Sequence, residues 1–197
     1  MIVGLDFDNT IVCYDKAIGA LAQQRFDLPP ALPRTKVAIR DYLRSQGLED
    51  AWTRFQGELY GPGMAHAEPF DGAPEVIQRL LEMGHRFCVI SHRTRFPYLG
   101  ERHDLHHYAG VWVRDRLRAD FSSVTFHETK AEKIAMIERS RCDFFLDDLP
   151  EILSDPAFPT ATKGVLFAPT ADSTSWSGQQ ITDWRELIAV VQNNVRN

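Results

Sequence analysis

Residues 2–7 read Ile-Val-Gly-Leu-Asp-Phe, an apolar run that turns acidic only at its end. A short run of this kind, too brief for a helix, is the mark of a strand buried inside a sheet. Similar runs return at 86–90, 143–146 and 164–167, with helix-like stretches between them. That alternation predicts an α/β fold built on parallel strands. Residues 124–126 offer one more short strand.

The stretches between the runs carry helix signals. Over 74–83, Pro74 stands near the first helical position, Val76, Ile77, Leu80 and Leu81 recur at helical spacing, and Gly84 supplies the stop. Residues 130–139 place Ala131, Ile134, Ala135 and Ile137 broadly on one side, just ahead of the strand at 143. Residues 184–195 predict a last amphipathic helix over the sheet, reached through a Thr-, Ser- and Ala-rich surface loop at 168–180. The segment 14–69 breaks the rhythm. It holds helical patterns at 35–46 and 49–60 and no convincing strand, and it is punctuated by Pro29, Pro30, Pro33 and Gly61-Pro62-Gly63. The expected organisation is therefore a core of 1–13 and 70–197, with 14–69 as a helical insertion. Trp52, Phe55 and Tyr60 in that insertion have two readings, a small helical core or a surface facing a ligand, and their helical spacing favours the core.

Composition narrows the classes of function. The chain of 197 residues is 44% hydrophobic and 25% charged, inside the range of folded globular domains. Its net charge of -5 gives no basic excess for duplex nucleic acid or an anionic membrane, so a small ligand is the expected partner. No run approaches the roughly 18 apolar residues that span a bilayer, and no charged-then-apolar leader precedes a cleavage site. The mature chain is expected to start at Met1. Cys13, Cys88 and Cys142 are odd in number, far apart and without C-x-x-C spacing, so neither a disulfide framework nor a zinc site is indicated, and buried thiols in a reducing cytoplasm are expected.

Asp6 and Asp8 end the first strand with Thr10 just beyond. Carboxylates at the lip of an apolar strand are costly without a partner, so the pair calls for a cation or a chemical task. Residues i and i+2 of an extended chain point the same way, which lets both acids face one bound group. The plainer reading is a turn in which Asp8, Asn9 and Thr10 hydrogen-bond the backbone, and Asn9 tolerates the left-handed geometry that such a turn requires. A second acidic site follows the strand at 143–146, where Asp147 and Asp148 stand side by side. Adjacent acids after an apolar run repel each other, although Asp148 has an alternative role as a helix cap.

Asp6-Phe-Asp8-Asn-Thr10 after a hydrophobic strand resembles the first signature of the haloacid dehalogenase (HAD) superfamily. Three further signatures of that superfamily have counterparts in order: Ser91 ending Phe-Cys-Val-Ile-Ser, a lysine in Thr129-Lys130-Ala-Glu-Lys133, and Asp147-Asp148. Lys130, at the expected helix start, is favoured over Lys133 for the lysine. The one departure is Asn9, where the superfamily often has Gly. The resemblance spans Asp6 to Asp148 and implies a Rossmann-like parallel sheet with helices on both faces. Residues 14–69 would be a small helical cap.

The resemblance also implies chemistry. Asp6 is the expected nucleophile, forming an aspartyl-phosphate, and Asp8 the general acid and base. Mg2+ is the expected cofactor, held by the Asp6 carboxylate, the Asp8 main-chain carbonyl and Asp148, with Asp147 orienting that shell. Thr10, Ser91, Lys130 and Asn9 are the expected phosphate contacts, and His92 and Arg93, just past Ser91, are candidates for an anionic or sugar part of the substrate. An Asp at position 8 separates phosphatases from resembling dehalogenases, which lack it. The expected activity is thus a magnesium-dependent phosphomonoester hydrolase acting on a small phosphorylated metabolite. A 5'-nucleotidase and an inactive binding protein of the same fold are the alternatives. His103, His106 and His107 lie in a polar helix-like stretch without the spacing of a metal motif and are read as structural.

Overall fold

The computed structural model describes residues 1–170 and 176–195, so the loop expected at 168–180 lies partly outside the described residues. In chain order the elements are β1 (Ile2–Leu5), β2 (Val12–Cys13), α1 (Asp15–Arg25), α2 (Lys36–Ser45), α3 (Glu49–Tyr60), a 3-10 turn (Pro62–His66), β3 (Glu68–Pro69) and α4 (Ala73–Glu82). There follow β4 (Arg86–His92), α5 (Leu105–Leu117), β5 (Phe121–His127), α6 (Lys130–Arg139), β6 (Phe144–Asp147), α7 (Pro150–Leu153), β7 (Lys163–Phe167), β8 (Gln179–Ile181) and α8 (Glu186–Val195). The chain divides into two compact units. The first comprises Met1–Val12, Pro69–Arg93 and Leu117–Asn197, and the second Cys13–Glu68 and Thr94–Arg116.

The first unit is built on one six-stranded sheet in the order β5-β4-β1-β6-β7-β8, with every neighbouring pair parallel. The five inner residues of β4 and all four of β6 are buried at successive positions. A strand achieves that only when helices cover both faces of its sheet, so this is an α/β Rossmann-like fold. The short apolar run at 124–126 proves to be the middle of a seven-residue edge strand, β5, paired with β4. Gly4 matters to the packing. A Cβ there would lie 2.5 Å from the Phe145 ring and 2.7 Å from Cys142 Sγ, so only hydrogen lets β1 lie under those side chains. Cys88 and Cys142 are buried, with sulfurs 3.6 Å apart, and belong with Ile90, Ile137, Phe145 and Leu166 to one apolar cluster.

The second unit is helical. Trp52, Phe55 and Leu59 of α3 are buried, and the Trp52 and Phe55 rings pack 5.8 Å apart. These aromatics therefore form a core rather than a ligand surface, while Tyr60 is only half-buried and meets the Tyr14 ring edge-on at 5.1 Å. The unit also takes in 94–116, a segment that sequence alone places in the core. Three contacts tie it there: Pro97 packs so closely on Gly57 that a Cβ would stand 2.7 Å away, the Trp112 indole donates to the Ala67 carbonyl at 3.0 Å, and Arg116 donates to the Ala65 carbonyl at 2.6 Å. All three join residues about 40 or more positions apart, which local patterns do not record. Residues 105–117 form α5, in which His107 lies edge-on against Tyr108, as does the nearby His103.

Candidate active site

β1 lies between β4 and β6. From β1 the chain builds outward on one side through β4 and β5, then crosses to the other through β6, β7 and β8. The carboxyl end of β1 is therefore the switch point at which an α/β sheet opens a crevice for ligands. Asp6 stands there, 4% exposed, and its N–H donates to the Leu146 carbonyl at 2.8 Å, which extends the β1–β6 ladder by one residue.

Past Asp6 the chain turns back. The Phe7 carbonyl accepts from the N–H groups of Ile11 (3.1 Å) and Val12 (3.0 Å), and Asn9 sits at φ 57°, the left-handed conformation that Asn accepts more readily than most residues. The turn buries Thr10 completely. Its hydroxyl lies 3.4 Å from Asp148 Oδ1, and its carbonyl accepts from the Trp184 indole at 3.0 Å.

Asp6 Oδ1 accepts two hydrogen bonds, from Ser91 Oγ at 2.8 Å and from Lys133 Nζ at 2.7 Å. Lys133 also donates to Asp147 Oδ2 at 2.6 Å, and its side chain is 1% exposed. Asp147 Oδ1 accepts from the Leu149 N–H at 3.0 Å, so both of its oxygens are engaged. Lys133, not Lys130, is thus the lysine of the site. Lys130 donates to the Glu151 carbonyl at 2.7 Å and pairs with Asp155 at the same distance. The reason is depth along α6. Thr129 caps this helix in a reciprocal capping box with Glu132, so Lys130 is its first residue and its side chain leans back beyond the helix end, whereas Lys133 lies one turn inside on the buried stripe with Ile134 and Ile137.

Asp6, Asp147 and Asp148 present carboxylate oxygens within 4.8 Å of one another, the one such group among the described residues. When all three carboxylates are ionised, the single ammonium of Lys133 leaves two negative charges in excess. Burial works against the Lys133 charge, yet Asp6 and Asp147 outweigh it and hold the ammonium above the usual lysine range. The acids show the converse. Burial, with Asp6 adding repulsion and Lys133 opposing it, pushes Asp147 up to about 7, and burial with repulsion from Asp6 and Asp147 pushes Asp148 up to about 8. An oxygen-only donor set with two unbalanced negative charges fits a hard divalent cation such as Mg2+.

The remaining candidates divide. Asp8 lies beside the cluster and is held by Arg93, whose Nη1 donates to Asp8 Oδ1 at 2.9 Å. Arg93 is buried, and its contact is with Asp8 inside the site. His92 is exposed, with its ring nitrogen 3.1 Å from the Glu128 carbonyl.

No protein-family model matches the chain, and no curated protein matches it in sequence. Solved structures match its fold. A predicted phosphatase from Clostridium acetobutylicum matches with a TM-score of 0.67 at 12% identity, over 98% of this chain and 98% of that one. The L-2-haloacid dehalogenase RSc1362 matches with 0.66 at 14% identity, over 97% and 98%. The HAD-hydrolase YfnB from Bacillus subtilis, solved bound to magnesium, matches with 0.63 at 15% identity, over 96% and 97%. The fold of this chain is that of the haloacid dehalogenase superfamily hydrolases.

Proposed function

We propose that this chain is a magnesium-dependent phosphomonoester hydrolase of the HAD superfamily, acting through an aspartyl-phosphate on a small phosphorylated metabolite. One observation carries the reading: Lys133 joins Asp6 to Asp147 while Ser91 holds the same Asp6 oxygen, all at the carboxyl end of β1. A carboxylate held so firmly by two donors is positioned for a single task.

In the first half-reaction an Asp6 oxygen bonds to phosphorus as the bond to the leaving oxygen breaks, and Asp8 gives that oxygen its proton. In the second, Asp8 takes a proton from water, the water oxygen bonds to phosphorus, and the bond to Asp6 breaks. Phosphoryl transfer depends on positioning and charge neutralisation more than on covalent chemistry. Ser91, Thr10 and Lys133 are the donors for the phosphate oxygens, and the Asn9 turn sets the backbone around them. Asp6, Asp148 and the Asp8 main-chain carbonyl would hold Mg2+, with Asp147 fixing Lys133 beside them. When bound, the ion neutralises charge developing on the transferred group. The dehalogenase fold match leaves the reaction type open, and Asp8 supports the phosphatase reading, because a second acid can protonate an alkoxide leaving group. The second unit, Cys13–Glu68 with Thr94–Arg116, serves as the cap that selects the substrate, and three free thiols suit a reducing cytoplasm.

A second reading, a 5'-nucleotidase, draws on one feature of the second unit. A pocket of about 110 Å³ there is lined by Thr53, Gln56, Tyr60, Thr94, Tyr98 and Leu105. Two aromatic rings beside neutral hydrogen-bonding groups suit a nucleobase better than an anion.

The test is phosphate release from sugar phosphates, nucleotides and p-nitrophenyl phosphate, with Mg2+ or EDTA, by wild type and Asp6→Asn. Turnover that requires the metal and drops at least about 10³-fold in Asp6→Asn is expected. Preference for nucleotides would select the second reading. No turnover across the panel, with Mg2+ shown to bind, would overturn both in favour of a binding protein.

A further inference from the structure

The geometry points to Arg93 as the positioning residue that holds Asp8 in the orientation its two proton transfers require. The inference rests on the acid-base reading of Asp8 given above.

Four features of Arg93 make its position a built one. Its side chain is 4% exposed, and an arginine is rarely so buried without a charged partner. Its backbone is pinned beyond the end of β4, because its N–H donates to the His127 carbonyl at 2.8 Å. Its guanidinium carbon lies 5.5 Å from the centre of the Phe7 ring, and that ring, itself wholly buried, meets Phe126 edge-on at 5.6 Å. Finally, Nη1 donates to Asp8 Oδ1 at 2.9 Å. Phe7 thereby has a task of its own between the two acids, as the shelf under the guanidinium. A planar fork on a fixed shelf restricts rotation of the carboxylate it holds.

Asp8 needs that restriction more than Asp6 does. Asp6 is 4% exposed and held by Ser91 and Lys133, whereas the Asp8 side chain is 25% exposed and stands on a turn. An acid that must deliver a proton to one oxygen and later collect one from water loses rate when its carboxylate rotates. Arg93 stays protonated throughout; the proton travels between Asp8, the leaving oxygen and water. Arg93 thus acts on the proton transfers rather than on substrate selection.

The experiment compares wild type, Arg93→Met, Arg93→Lys and Asp8→Asn on the alkyl phosphate turned over fastest and on p-nitrophenyl phosphate. Nitrophenolate leaves without a proton, and kcat/KM includes only steps up to its departure. If Arg93 positions Asp8, Arg93→Met lowers kcat/KM about 10–100-fold for the alkyl ester and less than about threefold for the aryl ester, following the pattern of Asp8→Asn. It also produces a burst of nitrophenolate followed by slow turnover, since hydrolysis of the aspartyl-phosphate still needs Asp8 as base. Arg93→Lys recovers part of the alkyl rate; it also provides the measurement should Arg93→Met fail to fold. Equal losses on both esters without a burst, or a rise in KM alone, would overturn the inference and make Arg93 structural or a substrate contact. If Asp8→Asn shows no preference between the esters, the acid-base reading falls and the inference falls with it; a selective Asp8→Asn beside an unselective Arg93→Met sinks the inference alone.

Discussion

The two units use the same acidic and basic side chains to opposite ends. In the helical unit they pair in the open: Lys16 with Glu68, Arg25 with Glu58 and Arg44 with Glu49, each pair with at least one side chain half exposed or nearly so. Water solvates such groups whether or not they meet, so little of the fold depends on them. In the sheet unit Asp6, Lys133 and Asp147 are 5% exposed or less, and Asp148 lies beside them. Removing these charges from water is expensive, and mutual attraction alone does not return the difference. A chain carries such a cluster where a ligand or a reaction makes use of it, and stability alone would have favoured apolar residues.

Breaking the buried pair should give the largest effect. Lys133→Met leaves Asp6 and Asp147 facing each other without their shared cation, and urea denaturation of the metal-free protein should show a loss of about 3–5 kcal/mol. Lys130→Met, three residues away, removes only a contact with the Glu151 carbonyl and an exposed pair with Asp155, and its urea midpoint should match wild type within error. Equal losses in the two variants would mean that α6 is rotated or shifted from the position described.

That contrast also marks what the sequence discloses. The apolar strands and the acids at their ends were legible because a strand buried on both faces tolerates a carboxylate only where it emerges, as Asp6 and Asp147 do. Helix spacing did not separate the two lysines. At about 100° per residue, Lys130 and Lys133 differ by only about 60° around α6, so both belong to its inner side. What separates them is distance from the helix end. The capping box of Thr129 and Glu132 could have supplied that signal, since it fixes Lys130 as the first residue. Arg93 offered no local signal, because Asp8 is 85 positions away in the chain.

The smaller effect sharpens the comparison through pH. Folded Asp147 and Asp148 hold their protons up to about 7 and about 8, against 3.8 for an ordinary aspartate. Between about pH 4 and pH 8 these two acids therefore bind more protons in the folded than in the unfolded chain, and their contribution to the stability of the metal-free protein falls as pH rises through that window. A divalent cation replaces those protons, so it should stabilise more at pH 8 than at pH 5.5. At 100 times its Kd the ion adds about 2.7 kcal/mol, or roughly 5–10 °C in Tm for a chain of this size. Thermal melts with Mg2+ or EDTA at the two pH values read this directly. In the helical unit Arg44→Gln, which removes an exposed partner of Glu49, should alter neither the Tm nor its response to Mg2+. A Mg2+ shift as large at pH 5.5 as at pH 8 would detach the ion from the buried acids, and with it the reason their charges are left unbalanced.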